Sequence, residues 1–227
     1  MKYRILLFDA DNTLLDFDAN EKESFYCMMR DVGEVCTEEI YRYYHELNSD
    51  WWRKIERKEA SLEYWLGNRF TVFMRHYGKE VDGQLWEKIF RGYLNHGTQQ
   101  IPYAHEVLRR LQAEYDLYVI TNGVEETQLY RMRESGLAMY FRDIFISKRI
   151  GDSKPSKRFF EYVKNHIPDF EVERTLVIGD SLTSDIKGGY DAGIDTCWFS
   201  RDLEAKPEGI QPTYIIHALP ELFDVLV

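Results

Sequence analysis

Six short apolar runs, rich in β-branched and aromatic residues, most constrain what this chain can fold into. They cover residues 3–9, 117–122, 143–147, 175–180, 195–200 and 213–218. Nearly continuous apolar character is typical of strands covered on both faces, as in a parallel sheet. Helical patterns separate the later runs, at residues 103–114, 125–135, 155–166 and 183–191. Alternating strands and helices predict βαβ units with right-handed crossovers, and therefore an open α/β sheet.

Residues 19–97 break this alternation, because they show helical periodicity and no convincing strand. Asn20 followed by Glu23 resembles a capping box at the start of a helix. An insertion of this size needs its own core, and we expect its many aromatic side chains to fill that core. The predicted domains are an α/β core, residues 1–18 and 98–227, and an all-helical insertion, residues 19–97.

Composition and sequence patterns argue against a nucleic acid polymer and a membrane as partners. The chain has 29 Lys plus Arg and 39 Asp plus Glu, a formal net charge of −10. This balance argues against binding a nucleic acid polymer, which needs a basic footprint. Three cysteines without a C-x-x-C pair are expected to be reduced thiols. We find no secretory signal pattern and no apolar stretch of the ~20 residues that a membrane helix needs, so we expect a cytoplasmic protein with no membrane partner.

Polar residues follow the ends of the predicted strands. They are Asp9 and Asp11 after the first run, Thr121, Asn122 and Gly123 after the second, and Asp180 after a later one, with Lys154 before a helix and Asp185 beyond Asp180. Ligands of open α/β sheets bind beyond the carboxyl ends of the strands. We therefore expect these residues, which are far apart in sequence, to meet at one edge of the sheet.

The paired acids at the end of the first strand suggest a metal site that acts on a phosphate monoester. Mg²⁺ prefers carboxylate and carbonyl oxygens and commonly bridges to substrate phosphate. Asp9, Asp180 and the backbone carbonyl of Asp11 are the predicted metal ligands. With its charge compensated, Asp9 can attack phosphorus as a nucleophile and form an aspartyl-phosphate. The Asp11 side chain is the predicted acid and base, which protonates the leaving oxygen and then activates water.

The other polar residues suit the phosphate group. The Thr121 hydroxyl and the Asn122 and Gly123 amides are expected to hold its oxygens, and Lys154 adds positive charge. Asp185 is expected in the outer shell, where it orients metal waters or Lys154. Each motif alone also suits a turn or a helix cap. Their occurrence together, each beside a strand or a helix, favours the functional interpretation, whereas Asp16, Asp18 and the six histidines receive no role.

In these motifs the chain resembles the haloacid dehalogenase (HAD) superfamily. The matching segments are "DADNT" (9–13), "TNG" (121–123), "KP" (154–155) and "GDSLTSD" (179–185). The resemblance implies a Rossmann-like HAD core with an inserted C1-type helical cap domain, Mg²⁺ dependence and the aspartyl-phosphate route. It assigns Asp9 as nucleophile, Asp11 as acid/base, Thr121 and Lys154 as phosphate ligands and Asp180 as a metal ligand. Since dehalogenases typically lack the second aspartate, Asp11 favours phosphoryl transfer.

Within this superfamily the chain resembles the YjjG-type pyrimidine 5′-nucleotidases. "LLFDADNTLLDFD" (6–18) and the segment 197–222 carry this likeness. It implies hydrolysis of nucleoside monophosphates, including noncanonical ones. We expect a small-molecule phosphomonoester as partner and a monomer or homodimer. Two alternatives stay open: a small-molecule phosphatase of the phosphoglycolate or sugar-phosphate type, and a catalytically silent binding protein on the same fold.

Overall fold

The computed structural model describes residues 2–207 and 209–226 and divides into two compact units. The core unit comprises Met1–Phe17 and Thr98–Val227, and the helical unit comprises Asp18–Gly97. The boundary lies one residue earlier than the predicted one after residue 18. The outer ends of the predicted core, residues 1 and 227, lie outside the described residues.

A six-stranded parallel sheet forms the centre of the core unit. Its strands are β1 (Ile5–Phe8), β2 (Asp116–Thr121), β3 (Asp143–Ile146), β4 (Thr175–Gly179), β5 (Asp195–Phe199) and β6 (Tyr214–Ile216). The spatial order is β3-β2-β1-β4-β5-β6, with all neighbours parallel. This is the doubly wound Rossmann-like order. Each strand lies inside a predicted apolar run except β2, which begins one residue earlier, at Asp116, and the predicted open α/β sheet is confirmed.

Both faces of the sheet are covered, which explains why the strands are apolar at consecutive positions. On β1, Leu6 and Phe8 belong to one buried cluster. Ile5 and Leu7 point to the other face and belong to a second buried cluster. Alternate side chains of one strand therefore enter two separate cores.

Helices connect the strands of the core unit. They are α5 (Ala104–Leu111), α6 (Glu125–Glu134), α7 (Ser147–Ile150), α8 (Lys157–His166), α9 (Lys187–Asp191) and α10 (Leu222–Val225). A π-helical turn, Leu182–Ile186, precedes α9. The helix predicted at residues 155–166 begins two residues later, because Ser156 caps α8 and the helix starts at Lys157.

Four helices make up the region of the insertion. They are α1 (Phe17–Asp31), α2 (Glu38–Glu56), α3 (Leu62–Arg75) and α4 (Gly83–Asn95). The capping box predicted at Asn20 and Glu23 is wrong, because α1 begins before both residues. Asn20 is buried inside the helix, and its side-chain amide donates to the carbonyl of Leu94 at 3.0 Å. Its polar side chain therefore serves a tertiary contact rather than a helix start.

Aromatic side chains fill the core of the helical unit, as predicted. Tyr44 lies at the centre, with its ring stacked on Phe25 at 4.3 Å between centroids and on Phe70 at 5.6 Å. Phe73 and Phe90 contact the same ring edge-on. All five side chains are fully buried. Within residues 2–207 and 209–226, no helix combines the length and apolarity required to cross a membrane.

Candidate active site

The site lies where the order of the strands reverses, between β1 and β4. Asp9 follows β1, and Asp180 follows β4. The backbone amide of Asp9 donates to the carbonyl of Ile178 at 2.8 Å, which extends the pairing of the two strands beyond β1. Parallel register thus delivers the two carboxyl groups to the same edge of the sheet, where open α/β proteins bind their ligands.

Three carboxyl groups cluster at this edge. One oxygen from each of Asp9, Asp180 and Asp185 lies within 4.8 Å of the others. Burial is the main cause that raises the pKa of Asp9, and the neighbouring charges of Asp185 and Asp11 add to it. Burial, followed by repulsion from Asp9 and Asp185, raises the pKa of Asp180 as well. The protein alone therefore disfavours the fully ionised cluster.

Lys154 is the cation inside this cluster. Its ammonium group donates to Asp9 Oδ1 at 2.6 Å, to Asp185 Oδ1 at 2.6 Å and to the carbonyl of Ile120 at 2.8 Å. The side chain is only 1% exposed. Burial opposes its charge, but attraction to Asp185 and Asp9 outweighs burial and raises the pKa of Lys154. All three ammonium protons have acceptors, so the position of the group is fixed.

Asn122 holds the loop that carries Lys154. Its side-chain amide donates to the backbone carbonyl of Lys154 at 3.0 Å and its side-chain oxygen accepts from the backbone amide of Lys154 at 2.9 Å. The Asn122 side chain therefore joins the end of β2 to this loop. Such a two-point bond positions Lys154, and the expected contact of the Asn122 amide with phosphate stays a prediction.

The Thr121 hydroxyl lies at the end of β2 and is buried. It accepts hydrogen bonds from the backbone amide of Gly123 at 3.0 Å and from the side-chain amide of Gln128 at 2.8 Å. Its own proton stays available to a phosphate oxygen. The Gly123 amide, expected to bind phosphate, is directed to Thr121 in this structure.

Asp11 lies apart from the three-carboxyl cluster and contacts α6. Its Oδ2 accepts from the amide of Gln128 at 2.6 Å, and its Oδ1 is paired with the guanidinium of Arg131. Gln128 and Arg131 are buried polar residues that our sequence interpretation missed. The available signal was their spacing of three on the helix that follows "TNG", which places both on one helix face.

The donor set of the site fits a divalent cation. Four carboxyl groups lie at this edge of the sheet: those of Asp9, Asp180 and Asp185 form the cluster, and that of Asp11 lies against α6. Across residues 2–207 and 209–226, the cations paired with them are Lys154 and Arg131. If all six groups are charged, two negative charges are left over. Hard oxygen donors with this excess charge are the chemistry that Mg²⁺ takes.

Comparison with known proteins agrees with this geometry. Residues 3–193 match the family of haloacid dehalogenase-like hydrolases. The chain belongs to this family. It is thus a HAD-type hydrolase, and its parallel sheet is the HAD core that the motifs predict.

Relatives of this HAD hydrolase match along almost their whole length. The pyrimidine 5′-nucleotidase PynA of Streptococcus pneumoniae is 38% identical over 100% of this chain and 96% of its own. The pyrimidine 5′-nucleotidase YjjG of Escherichia coli is 30% identical over 100% of this chain and 99% of its own. The crystal structure of YfnB from Bacillus subtilis, bound to magnesium, is 42% identical with a TM-score of 0.95, and the match covers 100% of this chain and 99% of that one.

Proposed function

We propose that this HAD hydrolase is a Mg²⁺-dependent phosphomonoesterase, and specifically a 5′-nucleotidase of pyrimidine nucleoside monophosphates. The observation that carries the reaction class is the cluster of Asp9, Asp180 and Asp185 around Lys154 at the strand ends. The names of PynA and YjjG support the nucleotide as substrate.

Asp9, Asp180 and the backbone carbonyl of Asp11 would hold the metal ion. Asp185 suits the outer shell, because its Oδ1 accepts from Lys154 at 2.6 Å and its Oδ2 from the backbone amide of Ser181 at 3.1 Å. When bound, Mg²⁺ supplies charge neutralisation and polarises the phosphate oxygens.

Asp9 is the nucleophile of the proposed reaction. Its carboxylate attacks phosphorus, the bond from phosphorus to the leaving oxygen breaks, and an aspartyl-phosphate forms on Asp9. Lys154 favours the ionised form of the Asp9 carboxylate and holds it in one orientation, because the two groups share a buried hydrogen bond, and the charge of a bound Mg²⁺ would favour that form further. The positive charge of Lys154 also attracts the negatively charged oxygens of the incoming phosphate. The hydroxyl proton of Thr121 is available to hydrogen-bond one of these oxygens.

Asp11 moves the protons. It donates one to the leaving oxygen, which departs as the nucleoside hydroxyl, and then accepts one from the water that attacks the aspartyl-phosphate. Phosphate is released, and Asp9 and Asp11 return to their starting states. A halide would leave without this proton, so the presence of Asp11 favours a phosphomonoester over an organic halide.

A substrate panel tests the proposal. The purified protein is incubated with Mg²⁺ and with pyrimidine and purine nucleoside 5′-monophosphates, phosphoglycolate and sugar phosphates, and released phosphate is measured. We expect the highest kcat/KM with a pyrimidine nucleotide and no release by Asp9→Asn. Preferred turnover of phosphoglycolate or a sugar phosphate would replace the nucleotide assignment. Nucleotide binding without phosphate release would identify a silent binding protein instead.

A further inference from the structure

Two buried polar side chains lie on one face of α6, beside the proposed acid/base Asp11. Gln128 is 1% exposed and Arg131 is 0% exposed. Burial of a charged residue is unfavourable unless its charge is paired. Neither residue belongs to the four sequence motifs, and the reaction described above assigns them no role.

Gln128 connects two of the motifs through a single nitrogen. Its amide lies 2.6 Å from Asp11 Oδ2 and 2.8 Å from the Thr121 hydroxyl oxygen, so each amide proton has an acceptor. A Cβ atom on Gly123 would lie 2.3 Å from the same nitrogen, which leaves no room for a side chain at that position. The glycine of "TNG" thus makes the space that Gln128 occupies.

Arg131 holds the other oxygen of Asp11. Its Nη1 is paired with Asp11 Oδ1, and its guanidinium carbon lies 5.4 Å from the centroid of the Phe17 ring. The Nε and Nη2 groups of Arg131 are buried without a hydrogen-bond partner among the described residues. The buried guanidinium of Arg131 therefore lacks a full set of hydrogen-bond acceptors, and Asp11 is the carboxylate that pairs with its charge.

We propose that Gln128 and Arg131 are positioning residues that fix the Asp11 carboxyl group for proton transfer to the leaving oxygen and from the attacking water. One donor on each oxygen holds both the position and the plane of the carboxyl group. Because Gln128 also bonds Thr121, the proton donor and the phosphate-binding hydroxyl are placed by the same side chain. This inference rests on the proposed phosphomonoesterase function and identifies the residues that support its acid step.

The dependence of kcat/KM on the leaving group distinguishes a residue that positions the acid from a residue that only supports the fold. Gln128→Met and Arg131→Met are assayed with Mg²⁺ on uridine 5′-monophosphate, whose leaving oxygen needs a proton, and on p-nitrophenyl phosphate, whose leaving group needs little help. We expect kcat/KM to fall about 10²-fold on the nucleotide, as for a misplaced catalytic group, and only a few-fold on the aryl phosphate. Arg131→Lys, which retains the charge, should recover part of the loss.

Arg133→Met is the matched control, because Arg133 lies on the same helix but is exposed and pairs with its neighbour Glu134. It should change neither rate. Equal losses on both substrates, or no loss on the nucleotide, would overturn the positioning role. A wild-type protein that hydrolyses neither substrate would overturn the proposed function itself, so the two failures are distinguished by the wild-type arm.

A stability measurement covers the case in which Arg131→Met does not accumulate as a folded protein. Asp11→Asn removes the charge that Arg131 faces and should lower the melting temperature by several degrees. Asp16→Asn, which loses a partly exposed pair with Arg201, should lower it less. An Asp11→Asn protein as stable as Asp16→Asn would contradict the pairing that the inference requires.

Discussion

The ammonium group of Lys154 lies 2.6 Å from Asp9 Oδ1, although 145 positions separate the two residues in the chain. Both side chains are buried, and Asp185 lies at the same distance from the ammonium on another side. One buried cation therefore serves two carboxylates, and the charge balance of the site depends on it.

Replacement of Lys154 by methionine should destabilise the core unit. The substitution leaves Asp9 and Asp185 buried without their cation, and loss of one partner of a buried ion pair costs about 3–5 kcal/mol. We expect a decrease of this size in the free energy of unfolding in urea, together with loss of phosphate release.

Lys187→Met is the control for this effect. Lys187 contacts Asp191 at the same 2.6 Å, but both side chains are about half exposed. An exposed pair is worth about 0–1 kcal/mol. If both lysine variants lost the same stability, the buried charge balance described here would be wrong.

Gly123→Ala should weaken catalysis by displacing Gln128. The new Cβ would lie within 2.7 Å of three atoms of that side chain. Because Gln128 is buried and bonded at its amide, it cannot move without loss of its contacts to Asp11 and Thr121. We expect a decrease in kcat/KM of roughly tenfold or more, measured by phosphate release, since small misplacements of catalytic groups cost up to about 10²-fold.

Gly67→Ala is the matched control for a glycine replacement. Gly67 lies inside α3 and a Cβ there meets no atom within 4 Å. Alanine is the better helix former by about 0.5–1 kcal/mol, so this variant should be more stable and fully active. An active Gly123→Ala protein would show that the Gln128 contact is dispensable.

The helical unit should lose stability as pH rises above 6.5, the ordinary pKa of histidine. His45 Nδ1 lies 2.7 Å from the buried carboxylate of Glu21, and this hydrogen bond raises the pKa of His45, with Asp18 and Glu46 adding attraction. A raised pKa means that the protonated ring stabilises the fold. This contribution is complete below the ordinary value of 6.5 and disappears as pH passes the higher folded value.

Thermal melting measured across this interval should show a decrease that His45→Gln abolishes. His166→Gln provides the comparison, because His166 faces the neutral carbonyl of Tyr162 at 2.8 Å. A wild-type melting temperature that stays constant or rises with pH would contradict the assigned role of the His45–Glu21 pair.

Much of the fold could be predicted because its determinants are local. The apolar runs became strands, and Asp9 and Asp180, at two of their ends, meet in the carboxyl cluster, since parallel register places strand ends at one edge. Periodicity alone also separated the helical residues 19–97 from the α/β core.

The remaining features depend on tertiary contacts that no local pattern encodes. Asn20 is of a residue type that often caps helices, yet its side-chain amide donates a hydrogen bond to the carbonyl of Leu94, 74 residues away. Gln128 and Arg131 look like ordinary surface residues of a polar helix. Their role becomes visible only when Asp11, which precedes Gln128 by 117 positions, is found against them.

The proposed mechanism depends on a covalent phosphoryl intermediate that forms on Asp9 during turnover. It is tested most directly by quenching the reaction with a nucleoside monophosphate and Mg²⁺, reducing acyl phosphates with borohydride, and locating the reduced residue by mass spectrometry. We predict conversion of the Asp9 side chain to an alcohol only in samples that contain both substrate and Mg²⁺. Steady phosphate release with Asp9 unmodified, or the modification on another aspartate, would contradict the account.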